Sequence, residues 1–371
     1  MRNPWRWLLG FNVLIIVISL VVKVAYDLPN LTYIHLLVDY HFGFAKRALI
    51  GELLSLFMSN VPPWMVFALG GTIIAITLAL YLRLFAKTFG FSESSLPLFV
   101  LIFGSPFFFK NFVKCIGYFD IYGCALAIVL LLIPARSLAF VALATAGSVI
   151  LILIHQIHML LYIPTIAAIV IIRYVLVRPA TPEQMWTALA FAALIPAAFL
   201  YVQFAGVMPV PQEEFKTYLT SRMNGHGLQS GALYYLFIWY QGVSDEVAGT
   251  WQQMRMNLVV SWFYVLLIVL HAPLAGYFKA TIRAIASLRH RRIVLVLLGA
   301  ITLGYTIIFV TVYDYARWVA AWGVCMILML HAIRQLPGAA NAPLIAPDDK
   351  RAFTFATVLT LLPRVGITRP F

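Results

Sequence analysis

Long apolar runs alternate with short polar breaks along the whole chain, and within each run apolar residues fill every face of a helix, not one stripe. A helix that is hydrophobic all round is buried in protein or in lipid, and about 20 such residues cross a bilayer. The pattern predicts ten spans: Leu8 to Tyr26, Trp64 to Leu82, Leu96 to Phe109, Cys115 to Pro134, Leu138 to Ile154, Met159 to Ile172, Met185 to Phe204, Asn257 to Phe278, Ile293 to Val312 and Trp318 to Leu330. Several are short, and those carrying Pro97 with Pro106, or Pro164, read as broken helices of the kind tolerated beside a cavity. Barrel strands would alternate over about ten residues, and these runs do not. With no internal repeat and no low-complexity linker, the expected fold is all-α: a single polytopic transmembrane bundle over residues 1–371.

The breaks carry their own expectations. Asp27 to Pro63 is too polar at its start to span yet rich in Leu and Ile, which predicts an interfacial helix in a first outer loop. The longest break, Gly206 to Met256, exceeds the roughly 15 residues beyond which a loop is usually functional, and its "ALYYLFIWYQGV" reads as a short re-entrant or interfacial helix. In the tail, 335–371, "RAFTFATVLTLLPRVG" reads either as an amphipathic helix on the inner surface or as a further partial span. The basic start "MRNPWRW" precedes a run with no small-residue cleavage site, so a retained first helix is expected.

Composition agrees: 63% of the 371 residues are hydrophobic, 11% are charged, and the mean hydropathy is +0.93. A soluble domain carries about 25% charged residues. The net charge of +13 belongs to topology, not to nucleic acid. Alternating the spans puts Arg83, Lys87, Arg136, Arg173, Arg178, Lys279, Arg283, Arg289, Arg291, Arg292 and Arg334 on one side with both termini, including Arg2, Arg6, Lys350, Arg351, Arg364 and Arg369. That side is therefore cytoplasmic. Most acidic residues fall outside, so function is sought there. Cys115, Cys124 and Cys325 have no paired spacing and read as small packing residues.

Four outer segments bring ionisable residues to one membrane depth. In "HFGFAKRALIGELL", Lys46 and Arg47 stand where positive charge is disfavoured, beside His41, Asp39 and Glu52. Structural ion pairing with the carboxylates is one reading, and a phosphate site is the other, Arg supplying a planar fork and Lys a point charge. "KNFVKCIGYFDIYG" offers Lys114 as a partner for Asp120. "HQIH" places His155 and His158 three apart, suited to hydrogen bonding within the bundle, with general base, phosphate contact or metal as further roles. "TVYDYARW" pairs Asp314 with Arg317 at i, i+3, and Arg317 is a second phosphate candidate. Tyr218, Tyr234, Tyr235, Trp239, Tyr240 and Trp251 of the long loop offer flat faces to sugar rings or acyl chains. Together these imply a wet, charged cavity open to the outer leaflet.

With Asp27 or Asp39 in the first loop, "GFAKRALIG", "GYFDIYG" and "YDYARW", the chain resembles the C-type membrane glycosyltransferases and, in habit, the bacterial O-antigen and exopolysaccharide polymerases. The resemblance implies a sugar donor linked to polyprenyl phosphate or diphosphate, a glycan or lipid acceptor, and work in cell-envelope polysaccharide or glycolipid synthesis at the outer face of a bacterial inner membrane. It implies Asp39 as general base with Asp27 the next choice, Asp120 as a second carboxylate or ligand of a divalent cation, and Lys46, Arg47 and Arg317 on the leaving phosphate. The competing class is a transporter or flippase for an anionic lipid-linked substrate, which would place its site near the midplane.

Overall fold

The computed structural model describes residues 3–26, 29–135, 137–177, 180–223, 230–312 and 314–365; Asp27, Tyr313, Arg2, Arg136, Arg178 and Arg369 lie outside the described residues. Among the described residues every regular element is helical. The first run forms α1 (Pro4–Tyr26), with its proline at the first helical position, where a missing N–H costs nothing. The first outer loop folds into α2 (Asn30–Leu37) and α3 (Leu49–Ser55) before α4 (Trp64–Phe89). The next run breaks around Pro106 into α5 (Leu96–Gly104) and α6 (Phe109–Lys114), because proline removes a backbone donor and clashes with the preceding turn.

Next come α7 (Asp120–Leu132), α8 (Leu138–Ile154), the single turn α9 (His158–Leu161) and α10 (Ile163–Val170), which runs on as a π-helical turn over Ile171–Leu176. A capping box opens α11 (Pro182–Ala205): Gln184 N donates to Thr181 Oγ1 at 3.3 Å and Thr181 N to Gln184 Oε1 at 3.1 Å. The long outer segment folds into α12 (Gln212–Met223), α13 (Ser230–Leu233) and a 3-10 turn over Tyr234–Trp239. The chain closes with α14 (Val243–Leu270), α15 (Ala272–Arg283), α16 (Leu288–Thr311), α17 (Tyr315–Ile333) and α18 (Lys350–Leu361).

Every predicted span falls on helix. Six segments are long and apolar enough to cross a membrane, seven if Trp262–Leu270 and Ala272–Arg283, bent by 59°, form one span. The expected ten differs because Asp120–Leu132, Leu138–Ile154 and Ile163–Leu176 are apolar but too short to cross a 30 Å core alone.

Burial sorts the long helices into two kinds. Leu96–Lys114 and Tyr315–Ile333 are 94% and 89% buried, whereas Pro182–Ala205 and Pro4–Tyr26 are 6% and 11% buried although more apolar. Helices that show apolar side chains all along an outer face need an apolar solvent, so the chain is a helical membrane protein. The two inner segments pack among α4, α7, α10 and α16, around Tyr81, Phe85, Phe108, Ile128, Ile169 and Leu328.

A second core holds the outer segments together. Tyr33, Ile34, Leu37 and Val38 from α2 and its exit pack with Phe215 and Leu219 of α12 and with Trp239. Backbone bonds stitch the two loops, with Lys46 N donating to Gly206 O at 2.9 Å and Val61 N to Arg222 O at 2.9 Å. The segments 29–63 and 206–242, where described, thus pack together as one cap over one end of the bundle.

The tail helix α18 packs against α1 and α5 through Ala352, Ala356 and Leu359, with Thr360 Oγ1 accepting from Asn12 Nδ2 at 2.8 Å. Lys110, 2% exposed, donates its ammonium to the carbonyls of Gly104, Leu359, Thr360 and Leu362 at 2.8–3.2 Å. A cation there satisfies the unpaired carbonyls and negative dipole ends of α5 and α18 together.

Candidate functional site

Where the cap meets the bundle, a cavity of about 50 Å³ is enclosed. That volume holds several waters or one phosphoryl group, since a single water needs about 10–15 Å³ measured this way. The cap contributes Leu31, Thr32, His35 and Arg47, and the bundle contributes Gly117, Tyr118, Phe119, His155 and Arg317. Two guanidiniums separated by 270 positions in the chain therefore face one small space.

Each is set in place by its surroundings. Arg47 adopts the left-handed backbone region, with φ 61°, directly before α3, and its Nε donates to Gln156 Oε1 at 3.4 Å. A residue with a side chain pays about 1–2 kcal/mol for that conformation, the kind of strain that collects at functional sites. Arg317, in the first turn of α17, pairs with Asp120 Oδ2 at 2.8 Å and Asp314 Oδ2 at 3.2 Å, and lies between the Tyr118 and Trp318 rings at 4.7 and 4.4 Å. Gly117 lets the cap close on the bundle: its φ is +83°, and a Cβ there would sit 2.6 Å from Thr32 Cγ2. Any larger residue would drive Thr32 into the cavity.

The histidines respond to this positive field. Burial first, and then the Arg47 charge, push His35 down to about 3; the same two causes, in the same order, hold His155 well below the ordinary range. Both are neutral at pH 7, and their tautomers differ. Ile157 N donates to His155 Nδ1 at 3.3 Å, so the proton of His155 sits on Nε2. A hydrogen bond to the Leu31 backbone occupies one nitrogen of His35, while its Nε2, in a side chain 5% exposed, has no partner among the described residues. Thr32 Oγ1 is unpartnered as well.

The other expected residues lie elsewhere or are already engaged. Asp39 is not in this cavity; it lines an open groove of about 570 Å³ on the cap with His41, Glu52, Tyr218 and Arg222. Its carboxylate is filled by Tyr218 Oη at 2.6 Å, His41 N at 3.1 Å and a buried ion pair with Arg222. The charge on Asp39 thus answers Arg222, not Lys46 or Arg47, and Glu52 accepts from Tyr40 N at 3.0 Å. Lys46, 2% exposed, donates Nζ to Gln241 O at 2.6 Å and does not line the cavity.

Lys114 ends α6, and Asp120 is paired with Arg317 in its place. His41 stacks flat on Tyr218 at 4.3 Å on the cap surface. His158 is fully buried with its ring centre 6.4 Å from that of His155, so "HQIH" brings one histidine to the cavity and one to the core. No three His, Cys, Asp or Glu side chains are grouped for a metal among the described residues.

His35, Thr32, Tyr118 and Arg222 were not singled out from the sequence. For Arg222 the signal was present: it is a cation in a break expected on the outer side, as Lys46 and Arg47 are. For His35, one imidazole within "NLTYIHLL" carries no spacing that reveals its neighbours.

No protein-family model, no curated protein and no solved structure matches the chain.

Proposed function

We propose that the protein is a glycosyltransferase of the bacterial inner membrane, using a polyprenyl-phosphate-linked sugar at the extracytoplasmic face with both termini in the cytoplasm. One observation carries this reading: Arg47 of the cap and Arg317 of the bundle line one small cavity, together with His35 and Thr32, whose Nε2 and Oγ1 have no partner among the described residues. Two guanidiniums lining one small cavity are suited to the charge that develops on a departing phosphate. Asp120 and Asp314 then serve to aim Arg317, and the donor's lipid lies along the apolar flank of the bundle.

The orientation has support of its own. Arg317 opens α17 at the cavity and Arg334 follows its other end; Lys87 donates to Leu132 O at 2.8 Å, at the far end of the helix that Asp120 begins. Basic residues thus gather opposite the cavity, as on a cytoplasmic side. Beside α3, Leu53, Leu56 and Phe57 are 48%, 68% and 82% exposed, a surface fit to lie in the headgroup layer.

The test is transfer from a radiolabelled polyprenyl-phosphate sugar to a glycan acceptor by the purified protein in nanodiscs. Wild type is expected to form product and Arg47→Ala to need far more donor. Absence of product, together with movement of the lipid-linked sugar across proteoliposome bilayers, would replace this reading with transport.

A further inference from the structure

We propose that His35, not a carboxylate, is the general base of the transfer. The inference rests on the phosphate reading of the cavity and adds to it the fate of the proton.

Geometry comes first. His35 Nε2 is the unpartnered ring nitrogen, in a side chain 5% exposed that lines the cavity. The Leu31 bond, which favours the protonated ring and is therefore donated to a carbonyl, leaves the lone pair on Nε2. The ring is held by Phe119 at 5.2 Å and Trp239 at 5.3 Å, so it cannot swing away. Asp39 lacks this freedom, since Tyr218, His41 N and Arg222 already take its oxygens and it faces another groove. His155 lacks it too, because Ile157 N occupies its lone pair.

The groups that face His35 are Arg47 from the loop before α3, His155 at the end of α8, Arg317 from α17 with Asp120 and Asp314 behind it, and Tyr118 before α7. In the empty site burial and the arginine charges keep His35 neutral and a poor base. A phosphate seated between the guanidiniums offsets the arginine part and adds an attractive charge, each near charge being worth about 1–3 pKa units. The acceptor hydroxyl then bonds through its oxygen to the anomeric carbon and gives its proton to His35 Nε2. The bond from that carbon to the phosphate oxygen breaks, and its electron pair leaves with the phosphate, where Arg47 and Arg317 take the charge. Departure of the polyprenyl phosphate restores the arginine field and expels the proton to solvent, which resets the site.

Sulfate tests this without a titration of its own, since it stays a dianion from pH 4 to 8. Calorimetry of the full-length protein in detergent, in two buffers of different ionisation heat, measures affinity and proton uptake together. A group whose value is raised by the ligand gives binding that strengthens below the bound-state value and loses that gain as pH rises through it. Sulfate binding by wild type is expected to tighten toward low pH, approaching at most about tenfold per unit, with uptake of up to one proton. His35→Gln should bind sulfate with no pH slope and slow transfer by about 10²–10⁴-fold at little-changed donor KM; His155→Gln should keep the slope. Sulfate binding with no proton uptake in wild type, or a slope that survives in His35→Gln, overturns the base while leaving the phosphate site intact. If sulfate fails to bind, or binds equally to Arg47→Ala, the phosphate site itself falls and the base with it.

Discussion

Asp39 and Arg47 lie eight residues apart in one loop, and the fold uses their charges in opposite ways. Asp39 is spent: its oxygens accept from a tyrosine, a backbone amide and Arg222, and in doing so they pin α12 to the first outer loop. Arg47, with a left-handed backbone, lines the small cavity between cap and bundle instead. A buried charge whose valence is filled by the protein stabilises an arrangement, whereas one aimed at a small polar hollow is available to a ligand. What each side chain faces, more than burial or residue type, separates the two charges in this cap.

The comparison breaks most visibly at Arg317, which belongs to both kinds. It lines the cavity and it also neutralises Asp120. Arg317→Met is expected to abolish sulfate binding and to destabilise the protein by about 3–5 kcal/mol, because Asp120 is left as an uncompensated buried carboxylate. Adding Asp120→Asn should recover much of the thermal midpoint in detergent and none of the binding. If the double variant is no more stable than the single one, the pair contributes nothing and Arg317 is held by its aromatic neighbours alone.

Asp39→Asn comes next in size. Arg222 loses its carboxylate beside an open groove, at an expected cost of about 1–3 kcal/mol, read as a lower thermal midpoint and faster proteolysis between residues 206 and 242. Asp39→Asn with Arg222→Leu should be steadier than Asp39→Asn alone. Full stability with total loss of transfer would instead make Asp39 the catalytic carboxylate, as the family resemblance implied, and would move the base away from His35.

The helices were legible because a bilayer-spanning run is a local property: length, composition and a proline such as Pro106 mark it without reference to the rest of the chain. Arg47 and Arg317, both candidates from local sequence, line one cavity. Partnerships were not legible. Asp39 meets Arg222, 183 positions away, and its nearer neighbours Lys46 and Arg47 point elsewhere, one to the Gln241 carbonyl and one to the cavity. Sequence nearness suggested Asp39 with Lys46 and Asp120 with Lys114, yet tertiary packing chose Arg222 and Arg317. His35 was hidden because its chemistry depends on arginines from two other segments, and the single turn of "HQIH" conceals that its two rings end in different environments.

The smallest effect is the most discriminating. Arg47→Ala removes a charge-assisted contact and should weaken sulfate and donor binding by tenfold or more, with the fold otherwise intact. Arg47→Gly removes the same contact and also the backbone penalty at φ 61°. Glycine gives back part of that relief through the larger entropy of its unfolded chain, about 0.4–1 kcal/mol, which leaves a net gain of up to about 1 kcal/mol over alanine. Equal loss of binding in both variants, with the glycine form melting higher, would establish that the strain at Arg47 is maintained for the ligand and not for the cap. A glycine form that melts lower than alanine, by the about 0.4–1 kcal/mol of its chain entropy, would mean that the backbone rests there at no cost. In that case the asymmetry between Asp39 and Arg47 would be one of side-chain partners alone.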